Sequence, residues 1–205
     1  MNGPPLSEIL ALSLQHLVLA LTTIVIAAAV GIPAAVLLAR RPGPRRWAVW
    51  FANIGQTIPS LALFGFLLPI PWIGGIGKRT AIIALCIYAL LPILRNSLSG
   101  ILGVDASVRE SAAAMGMTAR QVLWQVELPL AAPSILAGIR IAAVSTIGTA
   151  TIAAAIGGGG LGVFIFRGLA MADTDTILAG AVPAAIMALI ADEVLEWIER
   201  RLSPA

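Results

Sequence analysis

The sequence has 205 residues, of which 59% are hydrophobic and only 11% are charged. A soluble globular domain carries about 25% charged residues, so this composition excludes an ordinary soluble protein and predicts an integral membrane protein. The net charge of +3 is compatible with nucleic-acid binding, but the basic residues flank apolar segments. That distribution is typical of membrane proteins, and we expect no nucleic-acid partner.

Five apolar segments are long enough to cross a membrane, because a transmembrane helix needs about 20 mostly apolar residues. We predict one all-α transmembrane domain over residues 1–205, with spans at about 17–39, 47–69, 80–101, 130–156 and 176–197. The residues before the first span are predicted to form a short exposed or interfacial segment. They do not resemble a signal peptide, because no basic residue precedes the apolar run.

Basic residues at the ends of the spans predict how the chain is oriented. Positive charge accumulates in cytoplasmic loops, so the side with more arginines is expected to be inside. One side carries Arg40, Arg41, Arg45, Arg46, Arg200 and Arg201, whereas the other carries Lys78, Arg79 and Arg167. We therefore predict an external N-terminus, a cytoplasmic C-terminus and a cytoplasmic location for the insert at residues 105–129.

Polar side chains share a face in two of the predicted spans. Such residues usually face a bundle interior or a water-filled path, although hydrogen bonding between helices is an equally open alternative. The candidate pathway residues are Asn53, Gln56, Thr57 and Ser60 in the second span, and Ser145 and Thr149 in the fourth.

Charged residues inside the spans need partners or water, because a buried charge is costly in a bilayer. Arg140 lies about a third of the way into the fourth span, and Arg95 lies near the inner end of the third. Asp192 and Glu193, near the end of the fifth span, could pair with either arginine. The sequence leaves that choice open.

The sequence offers no case for an enzyme or a metal site. His16 is the only histidine and Cys86 the only cysteine, and neither has a neighbouring cluster of ligands or a general base. Residues 157–162 contain the spacing G-x-G-x-x-G, but they follow an apolar span rather than a strand. We expect an outer turn or a partial re-entrant element there instead of a dinucleotide site.

The insert at residues 105–129 is polar to amphipathic and is predicted to form two short helices joined by a turn. Asp105 or Ser107 can cap the first helix, and Thr118 with Gln121 is a capping-box signal for the second. Gly116 stands where a helix end favours positive φ. Val108, Ala112 and Met115 are spaced to share one apolar face.

The insert resembles the cytoplasmic coupling loop of permease subunits of bacterial ABC importers. That loop is written Glu-Ala-Ala, three residues, Gly, nine residues, Ile-x-Leu-Pro. This chain has Ser111 in place of the second-position alanine and Val126 in place of the isoleucine. The resemblance assigns Glu110, Ser111, Ala112, Gly116, Val126, Leu128 and Pro129 to the contact with an ATPase.

Further stretches resemble one branch, the permeases of importers for osmoprotectants such as glycine betaine, choline or carnitine. They are His16–Arg41, Gln56–Leu63, Leu90–Asn96 and Ile147–Gly162, and the resemblance extends over roughly residues 10–203. It implies a type I ABC importer permease fold in the bacterial inner membrane.

The implied complex contains a second permease chain, either identical or different, together with cytoplasmic ATPases and an extracytoplasmic substrate-binding protein. ATP and magnesium would bind to the ATPases, so no cofactor is expected in this chain. ATP-driven closure of the ATPases would switch the pathway between inward and outward access. The alternatives are a permease for methionine or another amino acid, and an ion-coupled secondary transporter. The latter should show inverted repeats and broken helices, and the sequence reveals neither.

Overall fold

The computed structural model describes residues 4–202. Helices make up all of the regular structure in that range, which confirms the all-α prediction. The α-helices are α1 (Leu6–Ala39), α2 (Pro42–Thr57), α3 (Ser60–Leu67), α4 (Lys78–Gly103), α5 (Ala106–Ala114), α6 (Ala119–Val122), α7 (Leu128–Ala150), α8 (Gly162–Met171) and α9 (Thr174–Leu202).

Four helical segments of the described chain are long and apolar enough to cross a membrane: α1, α4, α9 and the continuous stretch Ala119–Ala150. That stretch joins α6 to α7 through a π-helical turn at Leu123–Glu127. The second helix of the predicted insert is therefore the beginning of the next span rather than a separate element. Helix α4 packs against α1 and α7, and α9 packs against α7.

The predicted second span, at about 47–69, is not one helix but two, α2 and α3. Ile58 has extended backbone angles, φ −72° and ψ 126°, because the proline that follows disfavours helical geometry at the residue before it. The two helices still cross the bundle together. Val49 of α2 packs near Leu98 at one end of α4, and Leu67 of α3 packs near Ala81 at the other.

The break at Ile58–Pro59 has hydrogen-bond partners on α4. The hydroxyl of Tyr88 donates to the Ile58 carbonyl oxygen, and the amide of Gln56 donates to the Tyr88 carbonyl oxygen at 3.0 Å. A freed backbone carbonyl is costly in a membrane unless it has such a partner. The sequence predicts no broken helix, and the break at Ile58–Pro59 overturns that expectation.

The bundle has two distinct ends. The loop end carries the C-termini of α1, α4 and α9 and the insert at residues 105–129. The glycine end carries the start of α4 and the glycine-rich turn at residues 157–160, where the Gly77 N–H donates to the Ile156 carbonyl oxygen at 2.8 Å. Three glycines of this turn have φ near +77°, so the segment is a tight turn that leads directly into α8.

Helix α1 begins eleven residues before the predicted first span, since it starts at Leu6. Its 34 residues extend about 51 Å at 1.5 Å per residue, which exceeds the hydrocarbon thickness of a bilayer. The extra turns are ordered by packing, because Ile9 and Leu12 contact the core around Phe164. Glu8 also forms an ion pair with Arg167 of α8 at 3.0 Å.

Small residues allow α4 and α7 to approach closely. A Cβ atom added at Gly138 would lie 2.7 Å from the Asn96 Cβ, and one at Gly100 would lie 2.7 Å from the Ser134 Cβ. Real Cβ contacts are longer, so both positions require glycine. Membrane helices commonly associate through such small residues, and this contact fixes the position of the polar side chains that α4 and α7 carry.

Candidate functional site

Helix α5 begins after one of the two N-caps that the sequence predicts. The Asp105 carboxylate accepts a hydrogen bond from the Ser107 backbone N–H at 2.8 Å, so Asp105 is the N-cap and Ser107 is not. This hydrogen bond holds the pKa of the Asp105 carboxyl below its ordinary value. A cap of this kind gives a partner to a backbone N–H that has none within the helix, and it fixes where α5 starts relative to the end of α4.

The turn after α5 needs a left-handed backbone at Gly116, whose φ is +84°. The Met117 N–H reaches back to the Ala112 carbonyl oxygen at 3.2 Å, which closes the helix end. Thr118 and Gln121 then form the predicted capping box at the start of α6. The local signals of the insert therefore appear in the structure as the sequence predicts them.

The predicted apolar face of α5 is wrong in part. Ala112 is 2% exposed and faces the rest of the chain, whereas Val108 is 40% exposed and Met115 76%. The spacing fails at Met115 because α5 ends at Ala114, so the helical projection does not continue. The outward surface of α5 includes Val108, Glu110 and Ser111, and the Met115 side chain lies at its end.

The last part of the insert leads from the π-helical turn into α7. Val126 and Leu128 are half-buried, and Pro129 is exposed in the first turn of α7. A proline is tolerated there because the first N–H groups of a helix have no partner within it. These three side chains lie beside the start of the membrane helix, whereas Glu110 and Ser111 of α5 are exposed and Ala112 is buried.

Glu127 is a further charged residue of this loop that the sequence patterns do not single out. Its side chain is 8% exposed and contacts two arginines, Arg40 at 3.0 Å and Arg109 at 3.1 Å. The sequence shows only that Glu127, a charged residue, occupies the x position of the Ile-x-Leu-Pro part of the motif. Its partners are far away in sequence, so spacing alone could not identify them.

Two of the predicted pathway residues meet in a polar groove of about 650 Å³. Gln56 comes from α2 and Ser145 from α7, and α4 supplies the groove's floor. Arg95, Asn96 and Ser99 are the polar side chains of that floor. Polar groups gathered between membrane helices usually mark a hydrated or solute-binding path.

Asn53 lines an adjoining groove of about 520 Å³ that opens toward the loop end. Arg95 and Ser99 line both grooves, so the two grooves adjoin along α4. Arg45 and Arg46 lie at its mouth, beside Trp50.

Three other predicted pathway residues do not line either groove. The Thr57 hydroxyl donates to the Ile54 carbonyl oxygen and the Thr149 hydroxyl to that of Ser145, both at 2.8 Å within their own helices. Ser60 is half-buried at the start of α3. The two threonines therefore bond within their own helices, which differs from the hydrogen bonding between helices that the sequence left open.

The choice between Arg95 and Arg140 as the ion-pair partner is decided by the structure. Arg140 contacts Asp192 at 2.5 Å and Glu196 at 2.7 Å, and these hydrogen bonds join α7 to α9. Glu193 is exposed and takes no part. Within residues 4–202, no acidic side chain lies within ion-pair distance of Arg95, so its positive charge faces the groove.

His16 is fully buried and connects three elements at the glycine end. Its Nε2 lies 2.9 Å from the Ile147 carbonyl oxygen, and its Nδ1 accepts the Leu161 N–H at 3.4 Å. The carbonyl is available because the Thr151 N–H turns instead to Gly148. No group of three His, Cys, Asp or Glu residues able to hold a metal occurs in the described range, and the structure assigns this histidine a packing role.

The sequence matches the family model described as "Binding-protein-dependent transport system inner membrane component" over residues 27–204. The chain belongs to this family. Its members are transport permeases of a membrane, so the long helices are those of a multi-pass membrane protein. Family membership supports the ABC importer over an ion-coupled secondary transporter.

Similar proteins extend over almost the whole chain. The carnitine transport permease protein OpuCB of Listeria monocytogenes is 45% identical over 190 residues, covering 93% of this chain and 86% of that protein. The choline transport system permease protein OpuBB of Bacillus subtilis is 43% identical over 198 residues, covering 97% and 90%. The resemblance to osmoprotectant permeases is thereby confirmed.

The fold is that of a solved ABC importer. An inward-facing crystal structure of the MetNI methionine ABC transporter superposes with a TM-score of 0.88 at 23% identity, covering 100% of both chains. The type I permease fold predicted from the sequence is therefore confirmed. At this identity the likeness concerns the fold alone and carries no argument for methionine as the solute.

Proposed function

We propose that this chain forms the translocation pathway of an ABC importer for a small osmoprotectant such as glycine betaine, choline or carnitine. The observation that carries the proposal is the similarity, at 44% identity over 96% of the chain, to the glycine betaine/carnitine/choline transport system permease protein OpuCB of Bacillus subtilis. Transport proceeds by alternating access, with ATP and magnesium bound by partner ATPases rather than by this chain.

The outward surface of α5 is the proposed contact with the ATPase. Glu110 and Ser111 are exposed there, and Met115 projects beyond the helix end. A large exposed apolar side chain on a loop outside the membrane favours a protein partner. Ala112 and Gly116 act differently from these residues, because one seats α5 against the bundle and the other sets the turn that orients it.

A second permease chain is proposed to cover the polar grooves. Helix α2 has no buried residue, and its exposed side chains include the polar residues Asn53 and Gln56. Polar side chains facing lipid are costly, so this side of the bundle favours a partner chain with a hydrated path between the two. Either an identical chain or a related one satisfies this requirement.

The loop end is proposed to face the cytoplasm, with the N-terminus outside and the substrate-binding protein docking at the glycine end. Arg40, Arg45 and Arg46 gather at the loop end, and the C-terminus of α9 brings two further arginines there. This asymmetry supports the orientation by the positive-inside rule.

Selection of the solute is proposed to occur mainly in the binding protein. A quaternary ammonium group is best held by an aromatic cage, and the 650 Å³ groove has no aromatic residue among its described lining. Arg95 is its only charged residue, and it would repel a cation. The groove is therefore suited to passing a solute in water rather than to holding its ammonium group.

ATP-driven uptake by the reconstituted complex tests the proposal. Vesicles containing the permease, its ATPase and its binding protein are supplied with labelled glycine betaine, carnitine, choline and methionine. We expect ATP-dependent accumulation of at least one of the first three and none of methionine. Uptake without ATP, or of methionine alone, would show that the assignment is wrong.

The coupling loop has a matched pair of variants for the same assay. Gly116→Val places a β-branched side chain at φ +84°, which costs about 1–2 kcal/mol, and it should abolish uptake and weaken retention of the ATPase. Gly43→Val is the control, because its Cβ also meets nothing within 4 Å and its φ is not positive. If Gly116→Val and Gly43→Val, at matched abundance, take up solute equally, the loop at Gly116 does not couple the ATPase to transport.

A further inference from the structure

The structure contains one buried carboxylate with two cationic partners at the loop end. Glu127 Oε2 lies 3.0 Å from Arg40 Nη2, and its Oε1 lies 3.1 Å from Arg109 Nε. The Glu127 side chain is 8% exposed, whereas those of Arg40 and Arg109 are 51% and 32% exposed. We call these three residues the arginine clamp.

The clamp joins four helices at the loop end. Arg40 follows α1, Glu127 ends the π-helical turn before α7, and Arg109 lies in α5. Arg109 also donates from Nη2 to the Ile101 carbonyl oxygen of α4 at 2.6 Å. One ionic centre therefore connects the outer helix α5 to the ends of α1 and α4 and to the start of α7.

Few other contacts hold α5 in place. Ala112 is its only buried residue, and burying one methyl group contributes little compared with the charge-assisted hydrogen bond from Arg109 to the Ile101 carbonyl oxygen. Besides its short chain connections to α4 and α6, α5 is linked to the ends of α1 and α7 through the ion pair between Arg109 and Glu127. Helix α7, to which a displacement of α5 would be transmitted, carries Ser145 in the polar groove.

Glu127 is the last residue of the π-helical turn, which adds one residue to the helical repeat. Its side chain is buried, whereas those of Val126 and Leu128 on either side are half-buried. A buried carboxylate is costly and rarely adds net stability compared with an apolar residue. Its presence at this junction favours a role in positioning over one in stability alone.

We propose that Glu127 is a positioning residue that transmits movement of the ATPase-docked helix α5 to α1 and α7. This inference rests on the proposed function and deepens it, because it names the connection between docking and transport. When the clamp is intact, α5 and the ends of the two membrane helices move as a unit. When the negative charge is lost, α5 can follow the ATPase while moving them less, because only its chain connections and the hydrogen bond from Arg109 to Ile101 remain.

The test is Glu127→Gln in the complete reconstituted complex, with uptake and ATP hydrolysis measured on the same vesicles. The probe is labelled carnitine, choline or glycine betaine, whichever the wild type accumulates fastest. We expect the number of solute molecules moved per ATP to fall by about fivefold or more, with the ATPase retained and still active. Glu193→Gln, which removes an exposed carboxylate of α9, should leave the ratio unchanged.

Two further variants separate transmission from simple support of the fold. Arg40→Gln and Arg109→Gln each leave Glu127 one partner, so each should lower the ratio less than Glu127→Gln does. Adding either to Glu127→Gln should change little, because the residues act through one centre. If the Glu127→Gln protein is not present in the membrane at normal abundance, a lowered ratio of solute to ATP in Arg40→Gln would still support the proposal.

The results that overturn the inference are specific. Uptake and hydrolysis that fall in the same proportion in Glu127→Gln would assign Glu127 a merely structural role. A wild-type ratio in all three clamp variants would show that α5 acts through another contact. Failure of the wild type to accumulate any of the three solutes with ATP would instead overturn the proposed function, and the coupling role with it.

Discussion

Replacing His16 by leucine tests how the glycine end is held together. Leucine has a similar volume but cannot bond to the Ile147 carbonyl or the Leu161 N–H, which His16 contacts at 2.9 and 3.4 Å. Each buried backbone group left without a partner costs about 1–3 kcal/mol. Because the contact with the Leu161 N–H is long and therefore weak, we expect the free energy of unfolding to fall by a total of about 2–4 kcal/mol.

The assay is thermal unfolding of the purified permease in detergent. For a chain of this size, 1 kcal/mol corresponds to about 2–4 °C in Tm, so His16→Leu should lower it by about 4–16 °C. Gln15→Leu is the matched control, because Gln15 is exposed on the same helix and adjoins the same turn at Gly159. An unchanged Tm for His16→Leu, or an equal loss for Gln15→Leu, would refute the hydrogen-bond argument.

Three further predictions concern the helix break, the charged cluster and the orientation. Tyr88→Phe removes the donor to the carbonyl at the helix break and should destabilise the permease by about 1–3 kcal/mol in the same unfolding assay. Arg140→Gln leaves three carboxylates of α9 facing one another; added salt screens that repulsion, so the variant's Tm should rise with salt while the wild type's falls. Reporter fusions should place Met117 in the cytoplasm and Gly160 outside, and the reverse result would contradict the proposed orientation.

The features that short stretches of sequence encode were predicted well. Span length is set by the bilayer, so apolar runs located the long helices, although packing against α8 extended α1 beyond the bilayer-sized span. Caps depend on residues within three positions of one another, which is why Thr118 with Gln121 and the turn at Gly116 could be identified. Gln56 and Ser145 share faces with other polar residues of their spans, so the sequence predicts them as pathway candidates, and both line the same groove.

Features that depend on distant residues escaped prediction. A proline inside an apolar run is compatible with a kink or a break, and four prolines lie within intact helices. At Pro59 the break is accommodated by Tyr88, thirty residues from Ile58. Glu127 was missed for the same reason, because Arg40 is 87 residues away.

The most direct test of the account is whether solute and water reach the polar groove between α2, α4 and α7. Gln56→Cys and Ser145→Cys, in a chain whose native Cys86 is replaced, are treated with a small water-soluble thiol reagent in the complete complex. Leu21→Cys, at an exposed apolar position of α1, is the lipid-facing control. The account predicts that both groove cysteines react faster than the control, that their rates differ between the nucleotide-free and ATP-bound complexes, and that solute slows them. Groove cysteines that stay as inert as the control in both states would contradict the claim that this chain forms the translocation pathway.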